Sequence, residues 1–209
     1  MVRGVDARDT QAASATGLRP ASVRANVILC QPSRLKLDPV RDDGLVLIMR
    51  AMKKLRDRIG PPDLREGERS TTVLGEWYAT RFVWRPDVLL LVNEKALLPV
   101  LLPLAPAGTA LSRAVDRIAG AMATYGATEA MIAAELEQMQ THRIGPTANR
   151  SVVGVMNELV FFADAYRDQI QSDLDELAAR LANVPYSPLR STHISPDRAF
   201  TALVGAASR

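Results

Sequence analysis

Residues 77–92 read WYATRFVWRPDVLLLV, and they decide what kind of fold this chain can form. The first half alternates bulky and polar side chains, as a half-buried strand requires. The second half is a continuous apolar run, which is typical of a buried strand. Arg85, Pro86 and Asp87 form a short turn between the two, and short turns join antiparallel neighbours. The stretch therefore predicts an antiparallel hairpin at the centre of a sheet.

Three further runs are candidate strands around this hairpin. Residues 45–49 are apolar and compatible with a strand, and a short helix to about Ile59 follows them before a Gly-Pro-Pro stop. Residues 97–104 contain two prolines, which predicts an edge strand or an irregular one. Residues 141–144 are a possible return strand.

Helical patterns dominate the second half of the chain. Thr109 and Thr128 are suitable N-caps for two of these helices, and Gly126 separates them. The predicted helices span residues 110–125, 128–140, 151–169 and 173–181, and a tail helix starts at Ser195. The chain is therefore predicted to have an α+β fold, with a small, mainly antiparallel sheet packed with several α-helices.

Residues 1–44 lack the periodicity of the rest of the chain. They are rich in small and polar residues and are interrupted by prolines, so they offer too few apolar side chains to offset the entropy of ordering. We predict a disordered or weakly ordered arm at 1–44, with one possible edge strand at 26–31. A single α+β domain is predicted at 45–209.

Composition excludes several classes of protein. The 47% hydrophobic and 23% charged residues are typical of a globular protein, and a lone cysteine, Cys30, cannot form an intramolecular disulfide. The longest apolar run, residues 97–107, is too short to cross a bilayer, and no signal peptide is recognisable. A cytoplasmic protein without a membrane partner is expected. The net charge of +3 gives little support to binding of a phosphate backbone.

Residues 147–163, TANRSVVGVMNELVFFA, are the best candidate for a site. Small polar side chains run directly into an amphipathic helix, where free amides and Arg150 together would form an anion pocket. Asn149 or Ser151 can equally cap the helix while Arg150 pairs with an acid, and this alternative stays open. The candidate ligand-binding residues are Thr147, Asn149, Arg150 and Ser151, with His142 and Arg143 on the preceding segment.

Two other features are candidates for a partner surface. Trp77 is expected in the core, whereas Tyr78 and Trp84 are expected on a face open to a base or a peptide. Lys53 and Lys54 belong to a basic stretch that either is a solvated helix face or contacts nucleic acid or an acidic partner. Core packing and solvation are the simpler explanations for both features.

Several kinds of catalytic or cofactor site lack their motif. The two histidines, His142 and His193, stand far apart without a second ligand at zinc spacing, so no metal site is predicted. Glycine-rich phosphate loops and the Gly-x-Ser-x-Gly elbow are missing from the sequence. No cofactor is predicted.

Three segments carry a resemblance to a known family. They are the Gly-x-Trp-Tyr hairpin at 74–103, the Asn-Arg-Ser-Val-x-Gly-x-Met-Asn helix at 147–163, and LAARLANVPYSPL at 177–189. The run MRAMKKL at 49–55 is similar to the family's opening element. Together they resemble a small bacterial family known only as a domain of unknown function, and the resemblance covers about residues 45–190. The resemblance implies an α+β fold and a cytoplasmic bacterial protein, and it brings no established activity.

The leading hypothesis is a binding or accessory module that recognises a protein partner or nucleic acid. The alternative is an enzyme acting on a phosphorylated or nucleic-acid substrate, in which Arg150 holds the anion, Ser151 orients it and His142 moves protons. Convergence of His142, Arg150 and an acid such as Glu158 in one cleft would favour the enzyme. Divergence of these side chains would favour the binding module.

Overall fold

The structure is a computed structural model that describes residues 46–167 and 173–207. The arm predicted at residues 1–44 and the edge strand considered at 26–31 lie outside the described residues. So does the end of the helix predicted to reach residue 169.

The predicted hairpin forms the middle of the sheet. The strands of the described sheet are β1 (Val46–Ala51), β2 (Trp77–Phe82), β3 (Val88–Asn93), β4 (Pro99–Pro103) and β5 (Thr141–Pro146). They lie in the order β4-β3-β2-β1-β5, so β2 of the hairpin is central, as predicted, and β4 is an edge strand, as its prolines suggested.

Both strand directions occur within this sheet. β3 pairs antiparallel with β2 and with β4, whereas β1 pairs parallel with β2 on one side and with β5 on the other. The α+β class is confirmed. The antiparallel ladders of the hairpin are extended on one side by two parallel ladders.

Six α-helices surround the sheet in the described part of the chain. Thr128 caps its helix as predicted, by accepting the N–H of Met131. The predicted cap at Thr109 is wrong, because Thr109 ends a 3₁₀ turn and does not adopt the extended geometry of an N-cap. The helices are α1 (Lys53–Ile59), α2 (Ala110–Thr124), α3 (Glu129–Gln138), α4 (Arg150–Tyr166), α5 (Leu174–Ala182) and α6 (Pro196–Ala207).

The core is formed by helix stripes that pack on the sheet. α4 buries the face that its sequence spacing predicts, and all six residues of β3 are buried. Each fully buried Leu, Val or Met contributes about 1.5 to 3 kcal/mol relative to an exposed one. The buried stripe of α4 comprises Val152, Val155, Met156, Leu159 and Ala163.

Strand register assigns the side chains to the two faces of the sheet. Arg50 stands opposite both Tyr78 and Gly145, so these three residues share one face. Arg143, two residues before Gly145, lies on the same face because side chains alternate along a strand. His142 lies on the opposite face.

The two edges of the described sheet are already hydrogen-bonded. Arg113 and Arg117 of α2 donate to backbone carbonyls of the edge strand β4. On the other edge, the backbone N–H of Asp63 donates to the carbonyl oxygen of Ile144 in β5, and the backbone N–H of Ile144 donates to the Asp63 carboxylate. These groups occupy backbone positions that an added strand from a partner would need.

Candidate functional site

The hairpin motif and the motif at the start of α4 meet at one hydrogen bond. The hydroxyl of Tyr78 accepts the backbone N–H of Asn149 at 2.9 Å. Tyr78 is fully buried, so its predicted exposure on an open face is wrong: α4 covers it. Burial raises the pKa of Tyr78, and the N–H of Asn149 partly opposes that rise. The bond fixes the start of α4 against the central strand.

An ion pair lies on the same face of the sheet. Arg50 donates from Nε to Glu76 Oε2 at 2.6 Å and from Nη2 to Oε1 at 3.0 Å, and each side chain is 17% exposed. This two-point contact is the main cause that raises the pKa of Arg50. A Cβ added at Gly145 would lie 3.2 Å from Arg50 Nη1 and 2.7 Å from Leu64 Cδ2. The glycine therefore leaves the space that Arg50 occupies.

Asn149 connects this face to the helix with all of its polar groups. Its Oδ1 accepts the N–H groups of Ser151 and Val152, so Asn149 is the N-cap of α4. Its Nδ2 donates to Glu94 at 3.4 Å. Of the two caps that the sequence allowed, the structure therefore uses Asn149.

The other polar residues at the start of α4 remain unengaged. Arg150 and Ser151 are exposed and Thr147 is half-buried. Their side chains make no hydrogen bond or ion pair with another residue in the described ranges. The acid considered as a partner of Arg150 is therefore not found there, and Arg150 is a cation open to solvent.

His142 and Arg143 do not act together. Arg143 pairs with Glu68 at 3.3 Å and approaches Asp63 at 3.8 Å, so its charge is already neutralised. His142 lies on the other face of the sheet, away from the face of Arg50 and Tyr78. The enzyme hypothesis required His142, Arg150 and an acid such as Glu158 to converge, and no hydrogen bond or ion pair joins these three side chains in the described ranges.

A polar cleft of about 570 Å³ opens beside the ion pair. The turn that closes β3 forms one of its walls. Asn93 shapes this turn, because its buried amide accepts two backbone N–H groups and donates to Leu74 O. The cleft is lined by Arg50, Gly67, Glu68, Arg69, Ser70, Thr72, Gly75, Glu76, Glu94 and Lys95.

A second candidate surface surrounds Trp84. The indole N–H of Trp84 donates to Asp164 at 2.6 Å, and the guanidinium of Arg167 lies 5.0 Å from the ring centre. Val83 is 69% exposed and Phe161 is 70% exposed, although both are large and apolar. We call these five residues the Trp84 surface. The sequence signal for Phe161 was its position outside the apolar stripe of α4.

The basic stretch is only partly free. Lys53 and Lys54 are exposed on α1 and make no ion pair with a described residue, in agreement with a solvated helix face. Arg58, by contrast, approaches Asp87 at 4.0 Å, and Arg81 pairs with the same carboxylate at 3.0 Å. No group of three or more His, Cys, Asp or Glu side chains in the described ranges could hold a metal ion.

A comparison with protein families finds a match across most of the chain. The family described as Domain of unknown function (DUF6933) matches residues 48–199. The chain belongs to this family. The expected membership of a family known only as a domain of unknown function is thereby confirmed. Neither the curated proteins nor the solved structures contain a match to this DUF6933 chain.

Of the described helices of the DUF6933 chain, none is long and apolar enough to span a bilayer.

Proposed function

We propose that this DUF6933 chain is a binding module that recognises a protein partner through the Trp84 surface. The observation that carries the proposal is the exposure of two large apolar side chains, Val83 and Phe161, which lie close in sequence to the two partners of the Trp84–Asp164 hydrogen bond. Val83 is the chain neighbour of Trp84, and Phe161 lies one helical turn from Asp164. Both are therefore next to the Trp84–Asp164 contact in sequence, and we propose that they extend one apolar patch there, as interaction surfaces do.

The residue types favour contact with a polypeptide. Trp and Arg are enriched among the residues that dominate protein–protein affinity, and burial of an exposed Phe or Val contributes about 1.5 to 3 kcal/mol. Side chains and the loop at Asp63 already bond to some backbone groups of both edge strands in the described sheet, which favours side-chain docking over strand addition.

Charge favours a partner with acidic residues beside apolar ones. Arg85 lines one pocket together with Trp84 and Arg167, both arginines are exposed, and neither forms an ion pair with a described residue. Asp164 supplies one carboxylate, which already accepts the indole N–H of Trp84. An acidic group on the partner would meet two unneutralised guanidinium groups at this surface.

Nucleic acid is supported less well than protein. Arg167 lies over the ring of Trp84, so a base could stack on that side only after displacing the guanidinium. The enzyme built around Arg150 also receives less support, because no hydrogen bond or ion pair joins Arg150, His142 and Glu158 in the described ranges.

The test compares the wild-type chain with its Phe161→Ser variant. Each is used to capture proteins from the soluble extract of its own organism, since a cytoplasmic location is part of the proposal. Val73→Ser is the matched control, because Val73 is another large exposed apolar side chain, in the loop next to α3. We expect Phe161→Ser to reduce the amount of captured partner protein at least tenfold, and Val73→Ser to leave that amount unchanged.

The nature of the partner is checked in the same experiment. Capture that survives nuclease and persists with the purified partner protein supports the proposal. Loss of capture after nuclease treatment would transfer the assignment to nucleic acid. Equal capture by wild type and Phe161→Ser would refute the role of the Trp84 surface.

A further inference from the structure

Two opposite charges stand side by side in the polar cleft without neutralising each other. Glu94 and Lys95 are neighbours in the turn after β3, and both line the cleft. No ion pair joins them, since each side chain is held by a different neutral group. A carboxylate and an ammonium are thereby kept apart in one open cavity.

The ammonium of Lys95 is fixed by the backbone. Its Nζ donates to Val73 O at 2.7 Å, which leaves two of its three N–H donors unused. The side chain crosses Gly75, where an added Cβ would lie 2.9 Å from Lys95 Cε. Gly75 also has φ of +81°, a conformation that favours glycine. This glycine therefore allows the lysine to lie along the cleft.

The carboxylate of Glu94 is fixed by α4. Its hydrogen bond comes from Asn149 Nδ2 at 3.4 Å, and its backbone N–H donates to Glu76 O at 3.0 Å. The neighbouring cation, Arg50, is already engaged by both oxygens of Glu76. Glu94 therefore keeps acceptor capacity that no described side chain uses.

The remaining charges of the cleft define the ligand. Glu68 is paired with Arg143, and Glu76 with Arg50, which leaves Glu94, Lys95 and the exposed Arg69 unpaired. We propose that the cleft binds an amine-carboxylate zwitterion of amino-acid size, with its ammonium at Glu94 and its carboxylate at Lys95. A cavity of about 570 Å³ is large enough for such a molecule.

The test is a titration of the full chain, followed by the backbone N–H signals of residues 94, 95 and 149 in NMR spectra. The zwitterions are glycine, β-alanine and γ-aminobutyrate, which vary the distance between the two charges. Butylamine and butyrate carry one charge each on a comparable skeleton. We expect at least one zwitterion to bind at least tenfold more tightly than both single-charge probes.

Matched variants assign the two charges. Glu94→Gln and Lys95→Met are each expected to weaken binding of the zwitterion at least tenfold. Glu66→Gln and Lys53→Met change exposed residues outside the cleft and are expected to leave binding unchanged. The proposal is overturned by equal binding of butylamine or butyrate, by indifference to both cleft variants, or by dissociation constants weaker than about 10 mM for every zwitterion. These readouts do not involve Phe161, so they are independent of the protein partner.

Discussion

Glu135 provides the sharpest test of how the cleft is supported. This carboxylate on α3 is 2% exposed and accepts the N–H groups of Val73 and Leu74 at 3.0 and 2.8 Å. Glu135→Gln keeps the volume but replaces one acceptor oxygen with an N–H₂ group that faces a donor. Hydrogen bonds to charged groups contribute about 1.5 to 3 kcal/mol each. Since one bond is lost and the other becomes neutral, we expect a loss of about 2 to 3 kcal/mol in the free energy of unfolding.

The measurement is urea unfolding followed by circular dichroism, with a thermal scan as a second readout. In a domain of this size the melting temperature should fall by about 4 to 12 °C. Glu137→Gln is the control, because Glu137 is exposed on the same helix. If the two variants agree within about 0.5 kcal/mol, the carboxylate does not hold the loop and this reasoning fails.

Four further predictions use the same unfolding assay. Tyr186→Phe should have a free energy of unfolding equal to that of wild type or up to about 1 kcal/mol higher, because the buried hydroxyl has no hydrogen-bond partner in the described ranges. Tyr78→Phe should instead lower the free energy of unfolding by about 1 to 3 kcal/mol, because it leaves the N–H of Asn149 unpaired. Burial raises the pKa of Tyr186, so the fold should lose stability as pH rises above the unfolded value of about 10, and Tyr186→Phe should reduce that loss. Leu90→Ala should cost about 2 to 5 kcal/mol, and a loss below 1 kcal/mol would contradict its place in the core. Arg150→Ala should leave stability unchanged while Asn149→Ala costs about 0.5 to 2 kcal/mol, and the reverse order would make Arg150 structural.

Local patterns predicted the elements because each depends on neighbouring residues. The hairpin of β2 and β3, the edge position of β4 and the buried stripe of α4 all follow from alternation, proline positions and helical spacing. The cap at Thr128 followed from its residue type, but Thr109 did not cap, because a 3₁₀ turn precedes it. The backbone before a helix decides whether a threonine caps it, and residue type alone does not show that conformation.

Burial on both faces of the sheet explains the error at Tyr78. The alternation in β2 suggested one open face, but five of the six residues of this strand are buried. This strand lies in the middle of the sheet and residues on both of its faces are buried, so it has no open face. The parallel pairing of β1 with β2 and β5 joins segments distant in sequence, so no local pattern predicted it.

The residues grouped as a candidate site in the sequence do not all lie together in the fold. His142 and Arg143 are adjacent in sequence and were grouped together, but a strand sends adjacent side chains to opposite faces. Arg50, Glu76 and Glu94 come from separate segments and meet only through strand register. The turn after β3 supplies two of the three unpaired charges of the cleft, Glu94 and Lys95.

Helix α4 keeps the two proposed sites apart. Asn149 at its start contacts Glu94 of the cleft, and Asp164 near its end holds Trp84. Fifteen residues of helix separate these contacts by about 22 Å, at 1.5 Å per residue. Substitutions so far apart with no shared partner act additively. Coupling between the two sites would require α4 to move as a unit, but the start of α4 is bonded to the central strand through Tyr78. We therefore expect a zwitterion in the cleft and a protein on the Trp84 surface to bind independently.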